Sequence, residues 1–186
     1  LGEFDCVGRG GLYLSGLEKA VVVSMGTGTA LVYAQKDGQA QYLGGTGVGG
    51  GTLMGLSRLL IGMDDIEHIS DIAREGNLGK VDLRITDITK NDGELSLPDT
   101  MTAANFGKIS DMIGKADMAL GIINLIFETI GMMAIFAARS HGIRDIVLTG
   151  SLSVVPQARH NFKIFNDMFD VNFIIPEMSQ FGTVIG

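Results

Sequence analysis

The chain has 186 residues, 46% of them hydrophobic, and its 21 acidic against 14 basic side chains leave a net charge of −7. That length suffices for one compact core or two small lobes, and the scattered Lys and Arg lack the clustered basic face that a nucleic-acid partner needs. One cysteine, Cys6, excludes an intrachain disulfide and fits a reducing, cytoplasmic compartment, while His68, His141 and His160 stand too far apart for a zinc spacing.

The first residues, Leu1-Gly2-Glu3-Phe4-Asp5, carry charge where a signal peptide needs an apolar run, and the start on Leu leads us to expect a missing N-terminal segment. Phe4 to Leu17 predicts a helix whose Gly8, Gly10 and Gly11 pack closely on a neighbour. The run Ala20 to Met25 reads as a buried strand, Gly26-Thr27-Gly28-Thr29 as a tight turn, and Ala30 to Gln35 as a second strand. Asp37-Gly38 makes a hairpin turn into a third strand, Gln39 to Leu43.

Six of the nine residues from Gly44 to Thr52 are glycine, and they run straight into Leu53-Met54-Gly55-Leu56, the first turn of an apolar helix from about Thr52 to Ile61. A linker would be followed by polar residues. Backbone without Cβ atoms, with free N–H groups and a helix N-terminus behind it, favours an anion.

Asp64 to Glu75 predicts an amphipathic helix, and Val81 to Ile88 alternates apolar and polar residues like a half-exposed strand. Asn91 to Thr100, with Pro98, is polar and turn-rich. Ala103 to Ile113 reads as a helix, followed by a long apolar helix, Met118 to Ala138, with Asp117 as its N-cap. Asn124, Glu128 and Thr129 fall in the middle of that helix, so a core or a subunit interface is expected in place of a membrane span. Gly142 stops it. Ile146 to Thr149 is a buried strand ending in the turn Gly150-Ser151, Gln157 to Phe169 a helix, Val171 to Ile175 a last strand, and Phe181 to Gly186 a helix start. No internal repeat or linker interrupts this order.

Three glycine turns, Gly26–Thr29, Gly44–Thr52 and Gly150-Ser151, each follow a predicted buried strand, and in α/β sheets ligands bind outside the carboxyl ends of strands. Thr27 and Thr29 offer hydroxyls to a terminal phosphate. Gly150 lets a flat ring lie on the backbone, where Ser151 can hydrogen-bond it. No Gly-Lys-Ser/Thr occurs, so this is no Walker loop, and no dinucleotide fingerprint follows the glycine run.

These motifs, with Thr102-Ala103-Ala104-Asn105-Phe106-Gly107 and Ile146-Val147-Leu148-Thr149-Gly150, resemble the type II pantothenate kinases from Glu3 to Gly186. The resemblance implies the actin/sugar-kinase/Hsp70 ATPase fold with its ribonuclease H-like α/β core. The chain would be one unit, mainly the C-terminal lobe, with residues 1–18 the end of the first lobe. It also implies ATP-dependent phosphorylation of the primary hydroxyl of pantothenate, the first step towards coenzyme A, with Mg2+, and a homodimer through Met118–Ala138. Glu3, in Glu3-Phe4-Asp5-Cys6, matches the family's general base. Gly26, Thr27, Gly28 and Thr29 match the second phosphate loop. Gly49, Gly50, Gly51 and Thr52, leading into Leu53 and Met54, match the part that closes over the ATP phosphates, and Gly150 and Ser151 match the adenosine loop.

Departures are equally specific. The family's first phosphate loop, Asp-x-Gly-Gly-Thr with a nearby lysine, is absent. We therefore expect on the order of 70–100 missing residues, no metal ligand within this chain, and a fragment that is not a competent kinase alone. On the substrate side, with Thr27, Ala30 stands where a hydroxyl residue is usual. Tyr42 stands where an arginine pairs with the pantothenate carboxylate, a contact whose loss weakens binding by about 1.5–3 kcal/mol. Arg9, one to two helical turns after Glu3, could return a positive charge. The rival reading is a non-catalytic nucleotide-binding relative, or one acting on another alcohol.

Overall fold

The computed structural model describes residues 2–89 and 101–186, so the turn-rich stretch expected at Asn91–Thr100 lies outside the described residues. In chain order the first elements are α1 (Glu3–Ser15), β1 (Lys19–Met25), β2 (Thr29–Gln35), β3 (Gln41–Thr46), α2 (Gly50–Ile61) and α3 (Ile66–Ala73). Then come β4 (Leu83–Arg84), α4 (Ile85–Ile88), β5 (Thr102–Ala104), α5 (Lys115–Ser140), β6 (Asp145–Thr149), α6 (Pro156–Phe169), β7 (Asn172–Ile174) and α7 (Gly182–Ile185). The chain divides into two compact units, Leu1–Leu53 with Ile126–Gly186, and Met54–Leu125.

In the first unit the sheet order is β3-β2-β1-β6-β7. The hairpins make β1 antiparallel to β2 and β2 antiparallel to β3, while β6 lies parallel to β1 and β7 parallel to β6. β1 is buried on both faces, as its unbroken valines require. One face carries Ala20, Val22, Val32, Ala34 and Val147, and α1 covers it with Val7 and Leu12. The predicted close approach of this helix is present: a Cβ on Gly11 would lie 2.5 Å from Val22, and one on Gly8 would lie 2.9 Å from Ala40.

The opposite face carries Val21, Val23, Leu31, Tyr33, Ile146 and Phe173 in register. Phe173 packs on Phe162 of α6 at 4.8 Å, Phe162 meets Phe127 of α5 at 5.5 Å, and Tyr33 stacks on His141 at 4.7 Å. Gly142 ends α5 at φ 63, as predicted. Its N–H bonds to the Arg139 carbonyl while that of Ile143 reaches Ala138, a Schellman closure. Among the described residues α5 is the one helix long and apolar enough to cross a membrane, and 61% of its most apolar window is buried inside the fold.

The strand predicted to stop at Leu43 runs on through Gly44, Gly45 and Thr46, because Gly45 and Thr46 pair with Ala30 and Thr29. The first third of the expected glycine loop is therefore strand, and α2 begins at Gly50, two residues early.

In the second unit three sequence readings are corrected. Val81–Ile88 is a two-residue strand followed by a helical turn, not one alternating strand. The alternation was broken by Asp82, which is fully buried and accepts bonds from the Phe106 N–H and the Asn124 Nδ2, both at 2.8 Å. Ala103–Ile113 is not a helix: β5 ends at Ala104, and Phe106 takes a left-handed φ of 59 with its N–H committed to Asp82. Asp117 is not the N-cap of α5. It lies inside the first turn and reaches back to the Gly114 N–H at 3.2 Å, while accepting the Asn77 N–H at 2.8 Å.

The Asn77 amide, then the Gly114 amide and Lys80, hold the Asp117 carboxyl below its ordinary value of 3.8. Because the folded value lies below the unfolded one, this stabilisation is complete above pH 3.8 and is lost as pH falls through the folded value. Asp117→Ala is expected to cost about 1–3 kcal/mol at neutral pH. In urea unfolding the gap from the parent should narrow when the pH is taken below the ordinary aspartate range. A gap independent of pH would refute the ionic role.

Candidate active site

The pairing register sets Ser24 opposite Ala30, and Ala30 opposite Gly45. This row continues the face that carries Val22 and Val32. Where α1 covers that face its side chains include Val22, Val32 and Val147. Along this row they are small, and a cleft of about 560 Å3 opens above them. Glu3, Thr27, Gly28, Thr29, Tyr42 and Thr46 complete its walls with Gly26 and Gly47. The structure therefore brings together the predicted base, Glu3, with the predicted substrate-side residues Thr27, Ala30 and Tyr42.

The two residues after Glu3 explain its position. Phe4 stacks on Tyr42 with ring centres 4.2 Å apart and planes 20° from parallel, and Asp5 Oδ1 accepts the Ala40 N–H at 3.4 Å. Both contacts fix the first turn of α1 on the hairpin, leaving Glu3 on the cleft wall. Arg9 is not brought there. It is exposed and absent from the lining, because six residues further along an α-helix is about 240° around its axis.

The phosphate side differs from the sequence reading in an informative way. Gly50 and Gly51 donate their N–H groups to the carbonyls of Gly26 and Thr27 at 2.8 and 2.9 Å. Gly49 N–H reaches Thr52 Oγ1 at 3.3 Å, and Val48 N–H reaches Thr46 Oγ1 at 3.1 Å. The amides expected to face an anion are thus spent on holding the turn. Thr29 is buried and donates its hydroxyl to the Val48 carbonyl at 2.8 Å, so that proton is not offered to a ligand. What remains open is the turn itself: among the described residues the amides of Thr27, Gly28 and Gly47 have no acceptor, and Thr27 is exposed. Successive unpaired amides in a turn form an anion-binding concavity.

Gly49, Gly50, Gly51, Thr52, Leu53, Met54, Gly150 and Ser151 do not line this cleft. Leu53 is a core side chain, and Met54 is exposed. Gly150 sits at the carboxyl end of β6 beside that of β1, at φ 91, with its N–H on the Ser179 carbonyl at 3.0 Å. Ser153 bonds the Gly150 carbonyl and Ser179 Oγ, each at 2.6 Å, which ties this turn to the chain before α7. Gly26, Gly45, Thr46 and Gly47 line the cleft from within the predicted glycine turns, whereas Ser24 was missed by sequence reasoning. Ser24 carried a signal, as the polar residue inside an apolar strand.

No group of three His, Cys, Asp or Glu side chains comes together among the described residues. Glu3 is the one carboxylate on the cleft. A Mg2+ ion needs several oxygen ligands, so these residues do not form a cage for it.

The Fumble family model matches residues 19–166. The chain belongs to the Fumble family, that of the type II pantothenate kinases. A Fumble-type relative, the type II pantothenate kinase of Staphylococcus aureus (strain USA300), is 36% identical over 160 residues, covering 80% of this chain and 58% of that protein. The type II pantothenate kinase of Staphylococcus saprophyticus is 33% identical over 139 residues, covering 73% and 52%. The chain thus spans little more than half the length of these relatives. Among solved structures, ligand-bound xylulose kinase from Lactobacillus acidophilus superposes with a TM-score of 0.54 at 16% identity, covering 96% of this chain and 39% of that one. This likeness shows the actin-like ATPase fold that the motifs implied.

Proposed function

We propose that the protein containing this chain transfers the γ-phosphoryl group of ATP to the primary hydroxyl of pantothenate or a close relative, towards coenzyme A. The observation that carries the reading is the joint placement of Glu3 and the open Thr27–Gly28 amides on one cleft, in a Fumble-family chain with a kinase fold. The Glu3 carboxylate takes the proton of the acceptor hydroxyl as that oxygen attacks the γ-phosphorus. The bond from the γ-phosphorus to the bridging oxygen breaks, and its electron pair leaves with ADP. The amides of Thr27 and Gly28, with the Thr27 hydroxyl, face the phosphoryl oxygens. Gly49–Thr52 acts by pinning that turn, and Gly150 with Ser151 forms the adenosine side. Mg2+ would enter with the nucleotide.

Self-association through Met118–Ala138 belongs to the same proposal and rests on Phe136, an exposed aromatic on a helix otherwise largely buried. The net charge of −7 supports a small-molecule partner over nucleic acid, the burial of α5 supports a core helix over a membrane span, and the single cysteine supports a cytoplasmic protein. The test is ADP release by the full-length protein with ATP and pantothenate, pantetheine or related alcohols, with sedimentation of the same sample. Absence of turnover with every alcohol overturns the kinase reading, and a monomer overturns the dimer.

A further inference from the structure

The acceptor side of the cleft carries charge of one sign. Among the described lining residues Glu3 is the charged one, and none is Lys, Arg or His. Tyr42 is fixed from two directions. Its ring stacks on Phe4, and its hydroxyl lies over Gly45, where a Cβ would come within 3.1 Å of the phenol oxygen. That hydroxyl has no partner among the described residues, and a phenol can both donate and accept a hydrogen bond without carrying charge. A carboxylate-bearing acceptor set between Glu3 and the phosphates of ATP would add a third anionic group with no counter-charge from these walls, and like charges at short range oppose binding.

We propose that this site selects an uncharged primary alcohol, an amide relative of pantothenate in place of the free acid, and that Tyr42 backed by Phe4 is the selecting residue. The inference rests on the kinase reading above and leaves its chemistry unchanged: the hydroxyl proton goes to Glu3, the new P–O bond forms at the acceptor oxygen, and ADP leaves. Tyr42 takes no part in the bond changes. It hydrogen-bonds the distal amide, and the aromatic pair covers the acceptor's apolar length.

The experiment compares kcat/KM of the full-length protein for pantothenate and for the analogue whose carboxylate is a primary carboxamide. The parent, Tyr42→Arg and Tyr42→Phe are assayed with ATP. The parent should favour the carboxamide by about tenfold or more. Tyr42→Arg should reverse the preference, and Tyr42→Phe should lower kcat/KM for the carboxamide without raising it for the acid. Should Tyr42→Arg not fold, the parent and Tyr42→Phe still decide. A parent that prefers the acid overturns this inference and leaves the kinase reading standing. No turnover with either alcohol overturns this inference, and no turnover with any alcohol overturns the kinase reading as well.

Discussion

Glu3→Gln in the full-length protein is expected to lower kcat by about 10²–10⁴-fold, the usual contribution of a positioned general base. The amide keeps the shape of the side chain, so the first turn of α1, pinned by Phe4 on Tyr42 and by Asp5 on Ala40, should stay in place. Affinity for ATP should change little, because the open amides of Thr27 and Gly28 are untouched. Steady-state ADP release and nucleotide titration together make the measurement. A variant with parental kcat removes Glu3 from the chemistry.

Gly150→Ala is expected to destabilise the first unit by about 2–6 kcal/mol, combining about 1–3 for a strained backbone and about 1–3 for overpacking. A Cβ there would stand 2.5 Å from the Met25 carbonyl oxygen and 2.6 Å from its carbon. Met25 closes the central strand and is fully buried, so it has nowhere to move. Gly142→Ala supplies the control. It shares a positive φ, 63, but its Cβ would meet nothing within 4 Å, so only the backbone term of about 1–2 kcal/mol remains. Urea unfolding of both variants separates the two terms, and equal losses would refute the close packing at Gly150.

β1 and β6 were legible because their valines and isoleucines leave no other reading, and Gly142 stopped α5 where a left-handed residue was required. The second unit was less legible. Asp82 looked like the water-facing member of an alternating strand, yet it is buried as a bond acceptor for Phe106 and Asn124. A buried carboxylate satisfied from 24 and 42 residues away leaves no local pattern.

At the site, residue identities were readable and hydrogen-bond commitments were not. Glu3, Thr27, Ala30 and Tyr42 converge as their motifs implied. The glycines from 49 to 51 advertise free amides in the sequence, but the folded turn spends them. Which amides remain open is decided by the pairing of Gly50 and Gly51 with the carbonyls of Gly26 and Thr27, a tertiary matter. Arg9 failed for a simpler reason: helical spacing carries it away from Glu3.

Every residue lining the cleft falls between Glu3 and Gly47, whereas the parallel neighbour of β1 begins at Asp145. The walls of the site are thus a local product of one helix and one three-stranded meander, and the second flank of the central strand must be recruited across the whole intervening chain. Long-range parallel pairing is slow to form. Pulsed hydrogen exchange during refolding should show protection of Val32 and Tyr33 before that of Val147 and Leu148, and simultaneous protection would contradict it. A nascent chain would therefore hold the groove with one edge of β1 unpaired until Asp145–Thr149 had been made.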